Sequence, residues 1–264
     1  MCDLFASNLR TEQIVFIVSS ETQLGGTFIC LGLELARRQS FRFAVTEAKP
    51  LRDGIDRRLV GVSPALVHQP LPKYCGGDNE YGRHRWGQMG LLARRSVESG
   101  VTFVTLNTAP DSLCWDWHRN IVNDNRPSDG SDGPTRGMDI SGPPLDQMLS
   151  TLITDLYERG LDRKVLLVVW GEFGRTPRVN PTGGRDHWGS LMSILMSGGG
   201  LKVGQVIGTS SANGEVPTNR PVSPTDVLAT IYRHLGIDLT RHTVTNASRP
   251  IPLLPDGTPI AELL

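Results

Sequence analysis

Four short apolar runs constrain what this chain can fold into: IVFIV at 14–18, VTFVTL at 101–106, VLLVVW at 165–170 and LMSILM at 191–196. A strand with one wet face alternates apolar and polar side chains; these runs do not, so each strand needs cover on both faces. Strands of that kind are typically parallel and joined by helices. The intervening sequence supplies helices. In PPLDQMLSTLITDLYERG, residues Leu145, Met148, Leu149, Leu152, Ile153, Leu156 and Tyr157 keep the i, i+3, i+4, i+7 spacing of one apolar face. Pro143 and Pro144 suit its start and Gly160 its end. SPTDVLATIYRHLGI places Ser223 as N-cap, Pro224 at the first helical position and Asp226 three residues after the cap, with Val227, Leu228, Ile231 and Leu235 as its stripe. A third helix, WGQMGLLARRSVESG, precedes the VTFVTL strand. The pattern predicts an α/β fold with a mainly parallel sheet, whose sites lie in loops beyond the carboxyl ends of the strands.

A chain of 264 residues can bury a substantial core as one large domain or two small ones. Its 27 basic and 27 acidic residues cancel, so no overall field favours nucleic acid or an anionic membrane. No stretch approaches the roughly 18 apolar residues of a membrane span. The start, MCDLFASNLRTEQ, lacks the layout of a signal peptide, so the chain as written reads as cytoplasmic. Cys2, Cys30, Cys75 and Cys114 have no paired spacing, which argues against a zinc ribbon or a disulfide scaffold. Residues 119–142 are polar, rich in Gly and Pro and without period, the composition of a mobile loop; residues 46–80 also read as loop.

Both unusual loops follow predicted strands. After VTFVTL comes WDWH, where alternation along an extended segment puts Asp116 and His118 on one side and the rings of Trp115 and Trp117 on the other. Two ligands can reach one metal ion that way; a hydrogen-bonded Asp–His pair closing a loop is the plainer alternative. After VLLVVW comes GEFGRTPRVNPTGGRDHWGS, which carries Glu172, Asp186 and His187, with glycines that permit the turn by which neighbours converge. Asp116, His118, Glu172, Asp186 and His187 form an oxygen and nitrogen ligand set without sulfur, suited to a divalent metal, Zn or Mn first. Arg175, Arg178 and Arg185 lie around it in sequence, and arginine matches tetrahedral oxyanions, although each could instead neutralise a carboxylate. The candidate catalytic residues are Arg175 and Arg185, holding an oxyanion, and His187; Thr176 is a weak nucleophile candidate. His84 reads as surface or packing, His234 falls on the polar side of its helix, and GGG at 198–200 reads as a tight turn.

From about Tyr81 to the C-terminus, the segments YGRHRWGQMGLLARRSVESGVTFVTLN, WDWH, PPLDQMLSTLITDLYERG, VLLVVWGEFGRTPRVNPTGGRDHWGS, SGGGLKVGQVIG, PVSPTDVLATIYRHLGI and GTPIAELL carry a resemblance. In order and identity they resemble the bacterial domain of unknown function 1501 family, abundant in planctomycetes and similar in fold to the alkaline phosphatase and sulfatase superfamily. The resemblance implies a three-layer α/β/α core with a mainly parallel sheet, alkaline-phosphatase-like and abridged at its N-terminal side. It divides the chain into a poorly matched segment, 1–80, and an alkaline-phosphatase-like domain, 81–264, with the 119–142 loop inside it. Asp116 and His118 match the family's WD-x-H, Glu172 its GEFGR, and Asp186 and His187 its GRDHW, the positions where metal ligands are implied. Members of the family are much longer, usually begin with an export signal and carry an early glycine-rich segment with aspartates; neither is found here.

Three readings follow. The first is a metal-dependent hydrolase of phosphate or sulfate esters acting on a small anionic substrate. The second is a non-catalytic or truncated relative acting as a binding or structural protein. The third, a nucleotide-binding α/β protein, fits the strand pattern but lacks a phosphate-cradling glycine motif.

Overall fold

The computed structural model describes residues 13–19, 43–46, 80–82, 84–108, 115, 117–118, 138–244 and 249–264. Its central sheet has five strands: β1 (Gln13–Ser19), β2 (Phe43–Thr46), β3 (Phe103–Asn107), β4 (Val165–Gly171) and β7 (Leu195–Gly198), in the spatial order β2-β3-β1-β4-β7. The pairs β2–β3, β3–β1 and β1–β4 are parallel, with Phe16 of β1 level with Thr105 of β3 and Val168 of β4. The carboxyl ends of β3 and β4 therefore open on the same edge of the sheet. The chain reaches β4 from β3 through helix α2 (Met138–Glu158), passing over β1; α1 (Arg85–Glu98) precedes β3, and α3 (Pro224–His234) follows the sheet.

The burial of β4 explains its unbroken apolar sequence. Val165 and Leu167 belong to one core with Trp86, Leu91, Val97, Met148, Leu152 and Leu156, the inner faces of α1 and α2. Leu166, Val168 and Trp170 belong to a second core with Val227, Ile231, Tyr232 and Leu235 of α3 and with Ile260 and Leu263 near the C-terminus. Successive residues of a strand point to opposite faces, and here both faces are covered. At ~25 cal/mol per Å², each of these side chains contributes on the order of 1.5–3 kcal/mol.

Three local expectations are corrected. LMSILM does not form a parallel strand; β7 begins at Leu195, runs antiparallel to β4 and leaves Leu195 exposed. No helix separates β4 from β7, so the chain, already at the carboxyl edge, can only run back. Second, α2 does not start at its prolines but runs upstream to Met138, holding Pro143 and Pro144 inside at the cost of two missing N–H donors. Residues 138–142, read as loop, are therefore helical, and residues 119–137 lie outside the described residues. Third, Tyr157 is 41% exposed, at the margin of the stripe whose centre, Met148, Leu152 and Leu156, is buried. The α3 signals hold: the Ser223 and Asp226 side chains each accept from the other's backbone N–H, a capping box with Pro224 just inside. Among the described residues no helix is long and apolar enough to cross a membrane.

Carboxylates tie these elements together. Burial alone would raise the Asp155 carboxyl, but hydrogen bonds from Arg159 and Tyr81 and the Arg94 charge hold it below its ordinary value. Backbone N–H groups of Thr258 and Ser223 do the same for Asp226. Arg220, bidentate on Glu262 at 2.5 and 2.8 Å, holds that carboxyl at about 2. Each group is less protonated in the native than in the unfolded chain, so its contribution is present above the ordinary carboxylate values and is lost as pH falls through the lowered ones. The urea midpoint is expected to change little from pH 7 to 5 and to fall from about pH 4 towards 2. Equal midpoints at pH 7 and pH 3 would contradict this.

Candidate functional site

Beyond the carboxyl end of β4 the chain turns out as Glu172 and Phe173 and forms a small ribbon: β5 (Gly174–Arg175) pairs antiparallel with β6 (His187–Trp188), Arg175 opposite His187. The residues between them fold into a turn, in which the Asn180 amide oxygen accepts from the backbone N–H of Thr182 and Gly184 at 3.1 and 2.8 Å. This is the local chemistry expected of Asn-Pro-Thr-Gly-Gly.

The loop after β3 is seized by this ribbon. Arg175 donates through Nη2 to the Trp115 carbonyl at 2.8 Å. The Arg185 backbone N–H donates to the Trp117 carbonyl at 2.6 Å. Asn180 Nδ2 donates to the His118 carbonyl at 2.9 Å. On the other side the Trp115 ring stacks on Trp86, centroids 5.4 Å apart and nearly parallel, and packs against the first core. The tryptophans of WDWH thus anchor the segment, Trp117 tilting against Trp115 at 6.3 Å.

Clamped in this way, His118 and His187 meet. Their ring centroids are 4.5 Å apart, and Phe173 closes on His187 at 4.0 Å. Arg175 Nη1 lies 3.4 Å from His118 Nδ1. A guanidinium only donates, so this contact is a hydrogen bond only in the tautomer that leaves Nδ1 unprotonated and carries the ring proton on Nε2. Asp186 is exposed, its Oδ1 accepting from Asn180 Nδ2 at 2.9 Å. Glu172 is half-buried directly after β4.

The arginines differ. Arg185 donates through Nη1 to the carbonyls of Thr176 and Pro177 at 2.6 and 2.5 Å, and no bond of its Nε or Nη2 occurs among the described residues. Arg175 braces carbonyls of both loops, those of Trp115 and Arg185. Arg178 is 87% exposed and, among the described residues, pairs loosely with Glu215 at 3.7 Å. The Thr176 hydroxyl donates to the Arg178 carbonyl and accepts from the Asp186 N–H, which commits it to the loop. Among the described residues no group of three His, Cys, Asp or Glu stands close enough to hold a metal ion, and Asp116 lies outside those residues.

Two other histidines have structural places. His84 caps α1, Nδ1 accepting from the Gly87 N–H at 3.1 Å. His234, expected on a polar face, is buried. The turn of Gly198, Gly199 and Gly200, with φ of 74°, 63° and 70°, bends the chain tightly enough to seat its imidazole; a Cβ at Gly199 would stand 3.1 Å from His234 Nδ1. Sequence reasoning missed Asn180, Thr182 and Phe173; the Asn-Pro-Thr-Gly-Gly turn signature was the available signal for the first two.

The family described as "Protein of unknown function (DUF1501)" matches residues 74–264, and the chain belongs to it. No curated protein and no solved structure matches the chain.

Proposed function

We propose that the chain is a hydrolase of phosphate or sulfate esters on an alkaline-phosphatase-like α/β core, its site lying between the loops that follow β3 and β4. The observation that supports this reading is the convergence of His118 and His187, brought from distant parts of the sequence to 4.5 Å at the carboxyl edge of a mainly parallel sheet. In this reading the imidazoles are nitrogen donors of the site, and Arg185, through Nε and Nη2, balances the charge of a small tetrahedral anion. Two imidazoles alone do not make a catalytic zinc site, which takes three protein ligands, and among the described residues no third donor joins them. With Asp116, two residues before His118, the set would suit Zn or Mn, whose contribution is to polarise the ester oxygen and acidify a bound water.

A second reading, a non-catalytic relative, is favoured by a different observation: the guanidiniums of Arg175 and Arg185 both hold backbone carbonyls, as a structural clasp would. One experiment separates them. The protein, incubated with Zn or Mn and desalted, is assayed for metal by plasma mass spectrometry and for turnover of p-nitrophenyl phosphate and p-nitrophenyl sulfate, beside the His118→Ala/His187→Ala variant. The hydrolase reading expects bound metal and chelator-sensitive turnover, with the variant losing both, turnover falling by about 10²-fold or more. Neither metal nor turnover in the natural sequence would favour the clasp, and an undiminished variant would place any chemistry elsewhere.

A further inference from the structure

A single amide joins both halves of this site. Asn180 Oδ1 accepts from the N–H groups of Thr182 and Gly184, and backbone N–H groups only donate, so that end of the side chain is the oxygen. The opposite end is then the NH2 group, and its two protons have two acceptors: the His118 carbonyl and Asp186 Oδ1, each at 2.9 Å. The Thr182 hydroxyl stands within reach of the same carbonyl at 3.0 Å and of Asn180 Oδ1 at 2.8 Å. One half of the amide thus builds the turn, and the other half reads the two site loops.

We propose that Asn180 is a positioning residue: it sets the His118 backbone against the Asp186 carboxylate, and through His187, the next residue, fixes the spacing of the two imidazoles. By occupying Asp186 Oδ1 it also orients that carboxylate so that Oδ2 is the oxygen left to face a ligand. The inference rests on the reading that these two loops form the site, but not on any reaction there.

The two halves of the amide can be separated chemically. Asn180→Asp keeps an acceptor for the turn N–H groups and replaces the NH2 with an oxygen facing a carbonyl and a carboxylate. Both donated bonds become acceptor–acceptor contacts, one between like charges. Adding Asp186→Asn returns a donor to the pair with its direction reversed. Imidazole carbon–proton NMR correlations, assigned with single His→Ala variants, report the two rings without any need for turnover, and thermal unfolding is followed in parallel.

The His118 and His187 signals are expected to move in Asn180→Asp. In Asn180→Asp/Asp186→Asn, which restores the bond between side chains 180 and 186 but not the one to the His118 carbonyl, the His187 signal is expected to return towards its original position. Asp186→Asn alone, at an exposed position that cannot threaten the fold, is expected to move the His118 signal less than Asn180→Asp does. The proposal is overturned if Asn180→Asp leaves both signals in place, or if the His187 signal of the double variant lies no nearer the natural protein than that of Asn180→Asp. Should Asn180→Asp fail to fold, unmoved His118 and His187 signals in Asn180→Ser, which lacks the NH2 group, overturn it instead. Signals that move and recover in a protein without esterase turnover would leave the positioning role standing and remove the hydrolase reading alone.

Discussion

Alanine at Gly174 is expected to destabilise the protein by about 3 kcal/mol and to pull the site ribbon apart. A Cβ at this position would stand 1.9 Å from the Leu191 carbonyl oxygen, 3.1 Å from its carbon and 3.3 Å from the Trp188 carbonyl oxygen. All three are backbone atoms of the returning chain, so nothing can swing aside as the tip of a long side chain would. Relief needs the segment after β6 to back away from β5, the strand that carries Arg175 opposite His187. The bond from Arg175 to the Trp115 carbonyl would be strained by the same movement, and the effect should reach His118. Gly189→Ala is the matched control: nothing lies within 4 Å of a Cβ there, and its effect should stay within about 0.5 kcal/mol. Urea midpoints of the two variants decide the matter. A Gly174→Ala midpoint equal to that of Gly189→Ala would refute the close approach.

The strongest sequence signals were those with one physical cause. VLLVVW has no polar residue because both faces of β4 are covered, and the structure puts alternate residues of it in two different cores. The start of α3 was legible because Ser223, Pro224 and Asp226 act within four consecutive residues. LMSILM failed because apolar content does not encode direction; the absence of a helix between it and β4 did. FAVT, which forms β2, was missed because four residues carry no period of their own, and only pairing with β3 makes them a strand. His234 was misread because helical spacing places it away from the main stripe, whereas the chain at Gly198–Gly200 folds over it.

For the site, residue types were more legible than partners. The loops carrying His118 and His187 could be nominated from their composition and place after strands. That the two rings would meet could not, because the meeting depends on Arg175, Arg185 and Asn180 holding the carbonyls of Trp115, Trp117 and His118. The arginines show the ambiguity most clearly: a guanidinium that suits an oxyanion suits a carbonyl equally well, and only geometry tells which it takes.

Removing the Asp155 carboxylate is the second large effect, with an expected cost of about 3 kcal/mol. Asp155 Oδ2 accepts from the buried Tyr81 hydroxyl at 2.9 Å and lies 2.9 Å from Arg94 Nε, in ion-pair contact without good hydrogen-bond alignment. Oδ1 accepts from Arg159 Nε at 2.5 Å. In Asp155→Ala the Arg94 guanidinium, only 10% exposed, keeps Glu98 alone, and the Tyr81 hydroxyl is left in the first core without an acceptor. Uncompensated buried charge and an orphaned hydroxyl both weigh against the folded state. The melting temperature should fall by about 9 °C for a chain of this size. Arg159→Ala tests whether burial is the reason. Its side chain is 44% exposed, so solvent screens what it contributes, and the loss should be below about 1 kcal/mol although it touches the same carboxylate. If the two variants melt together, the network adds nothing beyond a surface pair. If they separate as expected, the tie between α1 and α2 holds the layer behind β3 and β4. Asp155→Ala should then also broaden the His118 and His187 signals at the ends of those strands, while Arg159→Ala leaves them sharp.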